Sequence, residues 1–242
     1  NFKNKKALIR VDFNVPLNAQ FQVTDSTRIV SAKPTIMKVL EDGGSCILMS
    51  HLGRPESKES AFSLKHIVRT LETVLGVEVL FSSSCIGEEA QKFCDNLKPG
   101  QILLLENLRY HSDETRGSEN FAKELSKLGD FYINDAFGTA HRAHASTTII
   151  AKFFPENRCF GSLLAQEIES IDKVMQTGEK PVLAILGGAK VSSKITIIDN
   201  ILNKVDHLII GGGMTFTFVK AQGGSVGDSI CEDDKMELAL QI

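Results

Sequence analysis

The 242-residue sequence is short of the features that mark several large classes of protein. It has little excess charge: 27 Lys and Arg stand against 30 Asp and Glu, and a formal net charge of -3 argues against a general binder of nucleic acid or membrane surfaces. No apolar run approaches the roughly 20 residues that cross a bilayer. The opening Asn1-Phe2-Lys3-Asn4 does not read as a signal peptide. The five cysteines (Cys46, Cys85, Cys94, Cys159, Cys231) are scattered, odd in number and without a Cys-x-x-Cys pair. Neither a disulfide framework nor a zinc site is expected from them, and a reducing, cytoplasmic setting is. Internal repeats and low-complexity segments are also missing.

What remains is ordinary for a globular protein, with 42% hydrophobic and 24% charged residues in a length that suits one large or two modest domains. Seven short apolar runs (7–11, 45–49, 77–81, 102–105, 131–133, 182–186 and 207–210) are rich in Val, Ile and Leu and do not alternate with polar residues. That suits strands buried on both faces of a parallel sheet. Helical patterns lie between them at 26–41, 63–75, 87–95, 119–128, 163–176, 192–205 and 214–221. Gly76 follows the second of these at the position that favours glycine, whereas Pro34 inside the first predicts a start or a kink there. The alternation implies right-handed βαβ units and a doubly wound α/β fold. The best boundary lies near Phe154-Pro155-Glu156-Asn157, ahead of a helix that could join two domains. The expected division is 1–158, a linker helix at 159–178, and 179–242.

Nearly every strand candidate is followed by a polar, basic or glycine-containing segment. Asp12-Phe13-Asn14 follows the first, His51-Leu52-Gly53-Arg54 the second, Asn107-Leu108-Arg109 the fourth, and the stretch from Asn134 through His141, Arg142 and His144 the fifth. Ligands of open α/β sheets bind at the carboxyl ends of strands, so these segments should converge on one rim. Singly, an arginine after a strand is more often a solvated loop charge, and Asp12 and Asn14 can equally be turn-formers before Pro16. Jointly, Arg54, Arg109, Arg142, His51 and His141 point to a small, highly anionic ligand. Farther on, Gly187-Gly188-Ala189-Lys190-Val191-Ser192-Ser193-Lys194 precedes a helix whose exposed backbone N–H groups, with two lysines, would cradle phosphates. It lacks the second glycine of a Walker A loop. Gly211-Gly212-Gly213 is not the dinucleotide fingerprint either, because Phe216 takes the third glycine's place.

Six segments together carry a resemblance: RVDFNVP (10–16), SHLGRP (50–55), LLLENLRY (103–110), NDAFGTAHRAHAS (134–146), LAILGGAKVSSK (183–194) and IIGGGMTFTF (209–218). In this order they resemble the signatures of the phosphoglycerate kinase family. The resemblance implies two Rossmann-like domains with parallel sheets flanked by helices, joined by a hinge that closes a cleft, the second domain being incomplete in this chain. It implies reversible phosphoryl transfer between 1,3-bisphosphoglycerate with ADP and 3-phosphoglycerate with ATP, the nucleotide carrying Mg2+. Carried over residue by residue, it places the acid on Asp12, Asn14, Arg28, His51, Arg54, Arg109 and Arg142. It places the nucleotide on Gly187, Lys190, Lys194, Gly211 and Gly212. Arg28 and Lys190 match catalytic positions, and composition and spacing alone do not single out Arg28.

The family's later glycine-rich segment, with its metal-serving aspartate, has no match in this sequence, so no metal ligand is assigned. A truncated chain, inactive as a kinase by itself, is the expectation. It should be a monomer that handles small molecules and neither nucleic acid nor membrane. A non-catalytic phosphoglycerate-binding fragment is the alternative. A dinucleotide-dependent oxidoreductase is disfavoured by both failed glycine fingerprints, and a nucleic-acid module by the charge balance and the lack of a basic, aromatic-interleaved stripe.

Overall fold

Unbroken apolar runs become strands where helices can cover the sheet on both sides. The computed structural model describes residues 1–177 and 179–242. In it β1 (Lys6–Val11), β2 (Ser45–Met49), β3 (Val79–Phe81), β4 (Ile102–Leu104), β5 (Phe131–Asp135) and β6 (Arg158–Phe160) form a sheet in the order β3-β4-β2-β1-β5-β6. All its pairings are parallel. β6 has no counterpart among the expected strands. It is three residues long, exposed throughout, and contains an arginine, so it carries no apolar signal.

Two cores flank this sheet. On one side Ala7, Ile9 and Val11 pack with Ile29, Ala32, Ile36 and Val39 of α1 (Thr27–Glu41) and Leu71 of α2 (Val68–Leu75). On the other, Leu8, Ile47 and Leu103 pack with Ala90 and Cys94 of α3 (Glu88–Asn96). After the short α4 (Ser112–Arg116), α5 (Glu119–Ser126) adds Phe121, Ala122 and Leu125 to that side. Each fully buried aliphatic side chain contributes roughly 1.5–3 kcal/mol. The strand period puts Arg10 next to Leu8 on this second face, and it is only 1% exposed: a charge sits where packing asks for an apolar group. Pro34 does not start α1, which begins seven residues earlier at Thr27. The helix runs through it because proline frees the carbonyl four residues back, on the half-exposed Val30, where water can reach it. Gly76 ends α2 at φ 73°, the left-handed conformation that a residue without Cβ adopts freely.

Beyond β5 come α6 (Phe137–Ala140) and α7 (Ser162–Thr177). The first turn of α7 is fastened from two directions. The Leu164 N–H donates to Oδ1 of Asp135 at 3.1 Å, and the Ser162 N–H to Oγ1 of Thr35 at 2.8 Å. Gly161 passes so close to Asp135 that a Cβ there has no room. The chain divides into two units, 1–167 and 168–242, with the division inside α7. The first unit thus continues past 158 to include β6 and the start of α7. Gly178, the last residue of the expected linker, lies outside the described residues.

The second unit holds a parallel pair, β7 (Leu183–Gly187) and β8 (His207–Gly211), with α8 (Ile195–Leu202), α9 (Met214–Ala221) and α10 (Met236–Gln241). Leu186, Leu208 and Ile210 pack against Val191, Ile198 and Met214. Leu183, Ile185 and Ile209 on the other face are 52%, 68% and 50% exposed. The expectation of strands buried on both faces therefore does not extend to β7 and β8, whose helical cover is one-sided.

Candidate functional site: an arginine-walled cleft

The sheet order reverses between β1 and β5, and the carboxyl ends of such neighbouring strands leave a crevice. Here it becomes a cleft of about 330 Å³. Asp12 and Asn14 enter it after β1, Arg28 from the first turn of α1, His51, Gly53 and Arg54 after β2, Arg109 after β4, and Gly138, Thr139 and Arg142 after β5. All seven residues expected to hold the acid thus line one cavity. His141 is exposed and absent from the lining. His144 is buried and faces an adjoining cavity of about 700 Å³ together with Arg54, Arg109 and Arg142.

A buried polar frame holds these loops. Asn14 Oδ1 accepts the Gly53 N–H at 2.8 Å, and the Arg109 guanidinium donates to the Gly53 carbonyl at 2.7 Å. Gly53 has φ 63°, and a Cβ there would enter the ring of Phe62. Asn107 donates to the carbonyls of Leu52 (2.8 Å) and Phe62 (2.9 Å), while its Oδ1 accepts the Arg109 N–H at 3.0 Å. Glu106 accepts the N–H groups of Leu64 (2.8 Å) and Asn107 (2.7 Å). Glu106 and Asn107 lie within the segment LLLENLRY, and nothing in the sequence assigns them a role. Their signal was present only as two polar residues between an apolar strand and an arginine. Asp12 is a turn-former, its Oδ1 accepting the Asn14 N–H at 3.3 Å, and its Oδ2 pairs with Arg28 at 2.5 Å.

Electrostatically, four guanidinium groups face one carboxylate, which is already paired. Burial, followed by Arg10, Arg142 and Arg54, lowers the pKa of Arg109, which stays a cation at any physiological pH. Burial, then the charges of Arg10, Arg109 and Arg28 and the nearby His144, drive His51 down to about 2. The imidazole is therefore neutral. The arrangement can bind and align an anion with several negative oxygens, and its histidine resists taking up a proton.

In the second unit the loops after β7 and β8 touch. The Met214 N–H donates to the Gly188 carbonyl at 2.9 Å, and Gly212, at φ 74°, lies so near that a Cβ would stand 2.8 Å from the same oxygen. A Cβ on Gly187 would meet open space, and Lys190 is exposed. Lys194 is half-buried, its Cε 3.4 Å from a Cβ placed on Gly188. Gly187 and Lys190 are thus open to solvent beside the two touching loops. One expectation needs correction. α8 starts at Ile195, later than the pattern suggested, and Glu232 takes the Ser192 N–H at 3.1 Å and the Ser192 hydroxyl at 2.5 Å. A carboxylate forty residues away thus occupies polar hydrogens expected to be free for phosphate. The Ser192 hydroxyl, chiefly, holds the Glu232 carboxyl below its ordinary pKa. Among the described residues no group of three or more His, Cys, Asp or Glu side chains could hold a metal ion, and no helix is long and apolar enough to cross a membrane.

The family model described as "Phosphoglycerate kinase" matches residues 1–242. The phosphoglycerate kinase of Porphyromonas gingivalis is 48% identical over 266 aligned positions, covering 100% of this chain and 64% of its relative. That of Moorella thermoacetica is 51% identical over 240 residues, covering 99% and 60%. The structure of phosphoglycerate kinase from Coxiella burnetii is similar at a TM-score of 0.84 and 39% identity, over 100% of this chain and 60% of that one. The chain spans about three fifths of the length of the curated relatives it matches.

Proposed function

The chain belongs to the phosphoglycerate kinase family, and from that premise we propose that its first unit binds 3-phosphoglycerate or 1,3-bisphosphoglycerate while its second contributes to binding ATP or ADP. The full reaction in this reading is reversible phosphoryl transfer between the acid and the nucleotide. One observation carries it above the rest: seven residues from five separate segments, four of them arginines, line one cleft.

The chemistry asks little more of the chain than charge and alignment. In the ATP-consuming direction the attacking group is a carboxylate, ionised at neutral pH, so no general base is required. The neutral His51, with its pKa near 2, is unsuited to be one. Arg54, Arg109 and Arg142 hold the anionic ends of the acid, and Asp12 and Asn14 orient it. Arg28 is the catalytic arginine of this proposal. It is half-exposed, and its pair with Asp12 is worth at most about 1 kcal/mol, so its guanidinium can leave that partner for the equatorial oxygens of the phosphoryl group in flight. On the nucleotide side Lys190 and Lys194 neutralise phosphate oxygens, and Gly187, Gly211 and Gly212 let the phosphates approach the backbone. Mg2+ accompanying the nucleotide would spread phosphate charge when bound, and no described residue is assigned to it.

A second reading is favoured by the one-sided cover of β7 and β8: this chain alone holds the acid without turning it over. The balanced charge and scattered free cysteines support a cytoplasmic monomer acting on small molecules. The test is calorimetric titration of the chain with 3-phosphoglycerate and with unphosphorylated glycerate. Saturable binding that needs the phosphate is expected. Absence of binding at millimolar ligand rejects the assignment.

A further inference from the structure

Arg10 is the largest group in the core without a role in the chemistry described so far, and it is fully engaged. Its Nε donates to Ser146 Oγ at 2.8 Å, and Nη1 donates to the Val11 carbonyl and, at 3.4 Å, to that of Met49. Its Nη2 meets Nδ1 of His51 at 3.2 Å. Behind it, Ser146 donates its hydroxyl to Glu114 at 2.6 Å and its N–H to the same carboxylate at 3.0 Å. Glu114 is fully buried, so the two interior charges compensate each other through one serine.

A guanidinium has donors only. Wherever it hydrogen-bonds an imidazole nitrogen, that nitrogen must offer a lone pair. Nδ1 of His51 is then unprotonated, and the ring's proton must be on Nε2, the remaining polar atom of a side chain that lines the cleft. We propose that Arg10, which does not line the cleft, is a positioning residue that fixes His51 as its neutral Nε2–H tautomer, so that His51 presents a hydrogen-bond donor to an oxyanion in the cleft at any working pH. The benefit is specific to a site already walled by four arginines: a neutral donor adds a directed hydrogen bond without a fifth positive charge. The groups acting on His51 point the same way. Arg10 on β1, Arg109 after β4, Arg28 on α1 and His144 after β5 each oppose its protonation, and burial opposes it more than any of them. The identity of the oxyanion rests on the function proposed above; the tautomer does not.

The experiment is two-bond 1H–15N correlation NMR on the 242-residue chain labelled in histidine, without ligand, between pH 5 and 8. The His51→Gln spectrum identifies the signals. We expect a pyridine-like Nδ1 and a pyrrole-like Nε2 for His51, unchanged across that range. A pyrrole-like Nδ1, or a ring that titrates there, overturns the proposal whatever the cleft binds. Arg10→Met combined with Glu114→Gln removes both interior charges together. In it His51 should populate both tautomers or titrate, and 3-phosphoglycerate should bind about tenfold more weakly. The variant's affinity should also gain a pH step beyond the one that the ligand's second phosphate ionisation gives both proteins. Should the double variant not fold, Arg10→Gln with Glu114→Gln keeps polar partners for Ser146 and offers His51 an amide that both donates and accepts, so it no longer selects the tautomer. A folded variant with the tautomer and the pH profile unchanged refutes the role of Arg10. If the tautomer depends on Arg10 while no acid binds, the functional assignment fails and the positioning role stands.

Discussion

Arg54→Ala separates ligand binding from folding more cleanly than any other change in the cleft. Arg54 is exposed and forms no hydrogen bond or ion pair with any described residue, so its removal breaks nothing in the fold. Its charge even adds to the repulsion that lowers the pKa of Arg109. Stability should therefore move by less than about 0.5 kcal/mol, with any change toward greater stability. A charge-assisted hydrogen bond to a phosphate or carboxylate contributes about 1.5–3 kcal/mol, so Kd for 3-phosphoglycerate should rise roughly ten- to 150-fold. Isothermal titration at fixed ionic strength gives Kd, and urea denaturation without ligand gives the stability. Equal affinities would refute the placement of the anion. A loss of affinity that tracks a loss of stability would refute the claim that Arg54 is free of structural duty.

Further outcomes follow from the same geometry. In a full-length enzyme carrying this sequence, Arg28→Ala should lower kcat by about 100-fold or more and leave KM nearly unchanged if, as proposed, the arginine acts on the phosphoryl group in flight; steady-state kinetics with an unchanged kcat and a raised KM shows mere substrate binding. Gly53→Ala should destabilise the first unit by about 1–3 kcal/mol, since φ 63° is unfavourable for alanine and the ring of Phe62 fills the space a Cβ needs; thermal unfolding by circular dichroism reads it. The pKa of His51 lies far below its unfolded value of about 6.5, so below that pH the unfolded chain binds a proton that the folded chain refuses. Stability should fall by about 1.4 kcal/mol on going from neutral pH to 5.5 on account of this residue, and His51→Gln should flatten that slope in denaturant titrations. Finally, the 242-residue chain alone should read background in a coupled kinase assay, and turnover near that of a complete enzyme, abolished by Arg28→Ala, would contradict the one-sided β7–β8 pair being insufficient.

The sequence exposed the first unit's sheet because its central strands are buried on both faces, and burial of that kind writes itself as unbroken Val, Ile and Leu. The edge strand β6 has the residues Arg-Cys-Phe and is exposed on both faces, so no periodicity could reveal it. The cleft was legible for a topological reason: segments following parallel strands share one rim, and arginine placed there repeatedly is visible as text. Arg28 needed family resemblance, since a helix-starting arginine looks like any solvated charge. Arg10 was invisible in a different way. It sits inside an apolar strand pattern, and nothing local shows that its partners are Ser146 and, beyond it, Glu114, more than a hundred residues away. Glu232 escaped for the same cause, as contacts between loops forty residues apart leave no trace in either segment.

The clustered arginines of the cleft also bear on what can keep such a sequence as it is. Four like charges gathered around about 330 Å³ repel one another in the empty protein, and substitution of an exposed member costs the fold nothing. Drift toward neutral residues at Arg54 or Arg142 is therefore unopposed by folding and mildly rewarded by it. Only occupancy by an anion reverses that balance. A lineage that ceased to use the ligand would shed Arg54 and Arg142 first and grow more stable in doing so, while Arg10, Glu114 and Asn107, locked into the interior, would persist longer.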